Sequence, residues 1–209
     1  MSAIRPSFFV TRRFLGSESI YTARIIVMEL KGELKGKKIA ILVDDLYQDL
    51  ELWYPAFRFR EAGAEVVLAG AEAGKAYRSE LGYPARCDVS YGSLSAREFD
   101  GVLIPGGYAP DHIRRHVKAN QFVCEMDWER KLVASISHGA WVLCSAGILR
   151  GRRVTCSGAI KDDAIHAGAQ YENADVVVDG NLITARGPED LPWFGRESIM
   201  ALASTAVLV

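Results

Sequence analysis

From Lys38 onward, short apolar runs alternate with helix-spaced segments, and that alternation narrows the folds open to the chain. Ile39-Ala-Ile-Leu-Val43 is continuously apolar, as expected of a strand buried on both faces. Over 49–62, Leu52, Ala56 and Phe59 share one helical face, and Gly63 follows as a stop signal. Glu65-Val-Val-Leu-Ala69 and Gly101-Val-Leu-Ile104 are the next strands, separated by a predicted hairpin excursion over 76–93 around Gly82 and Pro84. The spacing predicts one charged helix over 112–130, a strand at Leu132-Val-Ala-Ser-Ile136 and a helix over 139–149. Short strands at 154–156, 176–178 and 182–184 surround a helix over 161–168. Asp179-Gly180-Asn181 marks a turn, and a helix over 189–207 closes the chain. Parallel strands need crossover connections, so this order predicts a mainly parallel sheet covered by helices on both faces.

The 209 residues are 49% hydrophobic and 24% charged, close to globular averages, which excludes a largely disordered chain. Twenty-five basic residues against 26 acidic ones give a net charge of −1, so nucleic acid is not expected as a partner. No apolar run is long enough to span a bilayer, and no membrane role is expected. Cys87, Cys124, Cys144 and Cys156 contain no C-x-x-C pair and no finger-spaced histidines, so neither a metal nor a cofactor is expected. They read as reduced thiols of a cytoplasmic protein. Residues 1–36 read as an N-terminal extension, poorly ordered and rich in arginine at its start, before a domain over 37–209.

In open α/β sheets the ligand site lies beyond the carboxyl ends of the strands. Three segments meet that condition: 44–49, 105–111 and Ser137-His138-Gly139. In the last, an apolar strand runs straight into a helix, as in a nucleophile elbow that projects one side chain into a cleft. Backbone N–H groups at Gly106, Gly107 and Gly139 are candidates for an oxyanion hole. An ordinary turn, with Ser137 as N-cap and His138 solvated, satisfies the same spacing. Tyr108, His112 and Trp141 are candidate pocket residues. Trp53 and Tyr54 read as core or interface anchors.

Several separate motifs agree in order with one family. Pro105-Gly-Gly-Tyr-Ala-Pro-Asp111, Ile136-Ser-His-Gly139, Ser145-Ala-Gly-Ile-Leu-Arg-Gly-Arg152, Lys161-Asp-Asp163 and Val176-Val-Val-Asp-Gly-Asn-Leu-Ile-Thr184 resemble the ThiJ/PfpI superfamily. The resemblance covers roughly 37–209 and is nearest to the PfpI intracellular-protease branch, which is similar to glyoxalase III and protein deglycases. It implies a flavodoxin-like, class I glutamine amidotransferase-like α/β sandwich of three layers. It also implies an elbow cysteine followed by histidine, an acid from the loop after the first strand, and an acid from a neighbouring subunit that orients the histidine. On those motifs His138 matches the histidine and Asp111 the intersubunit acid. Ser137 stands where the cysteine is expected, and Gln48 where the first-loop glutamate is expected. A homo-oligomer, dimer or hexamer, follows from the role of Asp111, with a small molecule or peptide as substrate.

A serine hydroxyl does not ionise near neutral pH and needs a base in line, and an amide cannot pass a proton as a carboxyl can. Two functions follow as expectations. One is a hydrolase or lyase (protease, amidase or dicarbonyl-handling enzyme) with its thiol chemistry impaired by Ser137 and Gln48. The other is a stress-protection, chaperone-like or small-molecule-binding protein that keeps the fold without the catalysis.

Overall fold

The computed structural model describes residues 33–204. The reading of the arginine-rich segment at the start of the chain falls outside them. The described part of the expected extension is packed rather than loose: Leu34 is fully buried and its N–H donates to Ala62 O at 2.9 Å.

Strands β1 (Lys38–Leu42), β2 (Glu65–Gly70), β6 (Gly101–Ile104) and β7 (Leu132–Ile136) run parallel at the centre of the main sheet, almost wholly buried. Their unbroken apolar character follows from that, because helices cover both faces. The sheet order is β10-β11-β7-β6-β1-β2-β5, in which β5 is Val89–Ser90, β10 is Val176–Asp179 and β11 is Leu182–Ala185. β10 pairs antiparallel with β11 across a turn in which Gly180 takes φ +60°. β11 pairs parallel with β7. Helices α1 (Asp49–Glu61) and α6 (Leu191–Ser204) touch each other, and α6 packs on β7 and β11. α3 (Val117–Trp128), α4 (Ala140–Ala146) and α5 (Lys161–His166) form a second contiguous group, with α3 against β6 and β7. The architecture is the flavodoxin-like sandwich expected from the sequence.

The remaining strands are excursions. β3 (Ala76–Arg78) and β4 (Pro84–Arg86) form the expected hairpin, while β5 leaves it to extend the main sheet beside β2. β8 (Arg153–Val154) pairs with β9 (Gln170–Tyr171).

One expected element divides in two. The helix predicted over 112–130 is α2 (Ala109–Ile113) followed by α3, with His116 extended between them at ψ 110°. The Asn120 side-chain amide donates to Arg114 O at 2.7 Å and so replaces the helical partner of that carbonyl. The N–H groups of Ala119 and Asn120 instead turn back to His116 O and start a new helix. Spacing of apolar residues does not report such a side-chain competition.

Candidate active site

The loops after β1, β6 and β7 meet at the carboxyl end of the sheet. Leu46 takes φ +65° in the first loop, and its carbonyl accepts from Tyr108 N–H at 2.8 Å. That close approach requires glycine at 107: a Cβ there would stand 2.4 Å from Leu46 O and 2.5 Å from Gln48 N.

At the end of β7 the chain turns into a short 3₁₀ segment with Ser137 at φ +58°. A left-handed non-glycine residue costs about 1–2 kcal/mol, a strain retained where a side chain must be aimed. Ser137 is therefore an elbow rather than an ordinary N-cap, for which extended φ and ψ are the rule. Its Oγ lies 3.2 Å from Nδ1 of His138. Although the two residues are neighbours in sequence, the turn folds the imidazole back onto the hydroxyl. Burial holds the His138 pKa below its ordinary value, which favours neutral imidazole at pH 7.

The acid at this site is Glu51, and this corrects the reading of Gln48. Gln48 is the N-cap of α1, its side-chain oxygen accepting from Glu51 N–H at 2.9 Å. One turn on, Glu51 is 1% exposed; its Oε2 accepts from Gly106 N–H at 2.7 Å and its carboxyl takes the hydroxyl hydrogen bond of Ser137. Burial, the dominant cause, raises the Glu51 pKa to about 7 against these two bonds. The proton-sharing group that an amide at 48 cannot supply is present three residues later.

Glu51, Ser137 and His138 converge on Gly106. A Cβ at 106 would stand 2.4 Å from Glu51 Oε2, 2.7 Å from Ser137 Cβ and 3.0 Å from His138 N. The Gly106 N–H is thus committed to Glu51, which removes it from the candidate oxyanion donors. Gly107 N–H stays outside the neighbouring bridge, whose bonds run from Gln48 N to Gly106 O and from Tyr108 N to Leu46 O. Gly139 has a packing role: a Cβ there would meet Ile104 O at 2.5 Å and Ser135 Oγ at 2.6 Å.

Three predicted pocket residues gather beside the elbow. Trp141 meets the His138 ring edge-on at 5.2 Å and the Tyr108 ring at 6.4 Å, and His112 meets Tyr108 at 5.5 Å. Trp141 is fixed by donating Nε1–H to Asp163 at 2.8 Å, and the Arg114 guanidinium lies 5.6 Å from its ring centre. Asp111 lies in the first turn of α2, with its carboxylate engaged by Arg115. His112 and His116 stand 3.9 Å from the two oxygens of the buried Asp44, an arrangement that sequence spacing did not indicate.

None of the cysteines occupies the elbow position. Burial pushes the thiols of Cys87 and Cys156 up to about 12 and that of Cys144 up to about 11, so none is a thiolate at neutral pH. Cys124 is exposed on α3. Among the described residues no group of three or more His, Cys, Asp or Glu side chains is placed to hold a metal ion, and no helix is long and apolar enough to cross a membrane.

A doubly covered parallel sheet with a strained serine elbow and a buried carboxyl beside it defines an α/β protein of the elbow-site class. Comparison with known proteins narrows it further: residues 37–201 match the DJ-1/PfpI family, and the chain belongs to that family. It is 41% identical over 165 residues to deglycase PH1704 of Pyrococcus horikoshii, covering 79% of this chain and 99% of the relative. It is 38% identical over 170 residues to protein/nucleic acid deglycase 2 of Escherichia coli, covering 80% and 99%. Among solved structures it resembles a two-domain protein of Anabaena variabilis with DJ-1/ThiJ/PfpI-like and ferritin-like domains, at TM-score 0.78 and 40% identity. That match covers 79% of this chain and 48% of the other.

Proposed function

We propose that this chain is a serine-dependent hydrolase or lyase acting on a carbonyl compound (an ester, amide or related carbonyl adduct) bound at Ser137. The observation that carries the reading is a buried carboxyl with a pKa of about 7, hydrogen-bonded to a hydroxyl held in a strained turn. A general base works best when its pKa lies near the working pH, and Glu51 meets that condition. In this reading the Glu51 carboxylate takes the proton of Ser137 as Oγ bonds to the carbonyl carbon and the carbonyl electron pair moves onto oxygen. Gly107 N–H, which lies outside the neighbouring bridge, is the candidate donor to that oxygen. Collapse of the adduct expels the leaving group, which takes the proton from Glu51. A water molecule, deprotonated by the same carboxylate, then bonds to the acyl carbon, and the C–Oγ bond breaks as Oγ takes the proton back from Glu51.

His138 orients Oγ by donating Nδ1–H to it, and Asp111 contributed by a second copy of the chain orients His138 by accepting from Nε2–H when the imidazole is protonated. Exposed apolar side chains on and beside α1, namely Leu50, Phe57, Leu81 and Tyr83, support such self-association. Free thiols at all four cysteines fit a cytoplasmic setting. Deglycation, the activity named for both curated relatives, is the second reaction to assay. It is expected to be weak, because Ser137 replaces the thiolate that the family resemblance implies.

Hydrolysis of p-nitrophenyl acetate by the parent and by Ser137→Ala tests the reading. The expected result is a loss of at least about 100-fold in kcat/KM. Equal rates for the two proteins would remove Ser137 as nucleophile and leave a binding protein with the family fold.

A further inference from the structure

At the opposite end of β7 from the elbow, a cleft of about 520 Å³ is lined by Cys124, Asp127, Trp128, Arg130, Gly147, Ile148, Arg150 and Arg152. Its volume lies within the range of small-molecule sites. Five strand residues separate it from Ser137, roughly 16 Å at the usual rise per residue, so it is distinct from the elbow.

Three arginines face one aspartate here, and their roles differ. Arg152 is neutralised and fixed: it donates to Asp127 Oδ1 and to Asp179 Oδ2, both at 2.9 Å, and to Asp179 O at 2.6 Å. Arg130 and Arg150 are exposed and make no ion pair among the described residues. The cleft therefore keeps two uncompensated guanidinium groups.

Arg130 is held at some cost, and the stem of Arg150 is packed in place. Arg130 occupies φ +58° just past the end of α3, where Lys131 N–H returns to Met126 O at 2.9 Å. This is the helix-ending position at which glycine is the usual occupant. Arg150 packs its stem over Gly168, where a Cβ would stand 3.2 Å from Arg150 Cα and 3.5 Å from its Cγ. Beside them the Trp128 indole is 86% exposed, the most exposed tryptophan or phenylalanine of the described chain.

We propose that this cleft is a binding site for an aromatic phosphate, a small molecule whose flat ring stacks on Trp128 while its phosphate is held by Arg130 and Arg150. Guanidinium groups pair with phosphate through parallel N–H···O bonds, which favours phosphate over a halide or other simple anion. An exposed indole offers a stacking face to any planar ring. Neither group points to a ligand alone; together they match a ring and a phosphate in one molecule.

Isothermal titration of the full chain with adenosine 5′-monophosphate tests this, with adenosine and inorganic phosphate as separate arms. The expected result is a dissociation constant below about 1 mM for the monophosphate, and binding at least about tenfold weaker for each fragment. Trp128→Ala, Arg150→Gln and Arg130→Gly should each weaken the monophosphate by about tenfold or more. Arg130→Gly also relieves the left-handed backbone, so an unchanged or higher Tm beside lost binding separates a binding role from a folding defect. No heat from the monophosphate at about 5 mM, or equal binding by the parent and all three variants, would overturn the proposal.

Discussion

At the carboxyl end of the central sheet the functional groups are buried and titratable, whereas at the amino end they are exposed and permanently charged. Glu51 and Ser137 sit under the loops with 1% and 9% of their surface exposed, while Trp128, Arg130 and Arg150 stand in the open. Both ends keep a non-glycine residue at positive φ, Ser137 at +58° and Arg130 at +58°. The same backbone strain serves different ends. At the elbow it aims a hydroxyl at a carboxyl whose protonation responds to the surroundings. At the cleft it keeps a guanidinium whose charge does not change with pH. Chemistry that turns on proton movement belongs to the first end and charge-based capture to the second.

The largest effect expected from separating the two ends comes from Gly106→Ala. The new methyl would overlap Glu51 Oε2 at 2.4 Å and Ser137 Cβ at 2.7 Å. Driving the acid and the nucleophile apart should lower p-nitrophenyl acetate hydrolysis by about 100-fold or more, because misplacement of about 1 Å costs that much. Adenosine monophosphate binding at the far cleft should be unchanged in the same protein. A rate close to the parent's would show that the convergence on Gly106 has no catalytic consequence.

A smaller and pH-dependent effect is expected of Glu51→Gln. The folded chain holds a proton on Glu51 that the unfolded chain releases, since folding raises its pKa from 4.5 to about 7. Stability contributed at this site therefore falls as pH rises through that interval and stays low above it. Glutamine carries no charge to desolvate and keeps an oxygen for Gly106 N–H. The variant should gain on the order of 1–3 kcal/mol over the parent at pH 8 and little at pH 4, read by urea unfolding. A variant less stable than the parent at pH 8 would contradict the raised pKa.

Much of the fold was legible because its physics is periodic. The central strands are apolar without interruption since both faces are covered, and that pattern placed β1, β2, β6 and β7 within a residue or so. The break between α2 and α3 was not legible, because it depends on one amide of Asn120 reaching Arg114 O. At the site, Ser137, His138 and Trp141 were legible from the strand-to-helix junction and the family motifs. Glu51 was missed although a signal existed. It lies on the same buried stripe of α1 as Leu52, Pro55, Ala56 and Phe59, where a carboxylate has no structural reason to be. Gln48 drew the assignment by its place in the loop, yet its side chain caps the helix that carries the acid inward.

The pH dependence of kcat/KM for p-nitrophenyl acetate tests the central claim most directly, since burial raises the Glu51 pKa to about 7 and lowers that of His138 below its ordinary value. With Glu51 as the base, activity should rise through a pKa of about 7 and that step should vanish in Glu51→Gln together with most of the rate. A profile that instead rises at lower pH, where His138 loses its proton, and that survives in Glu51→Gln would contradict the account and make the imidazole the base.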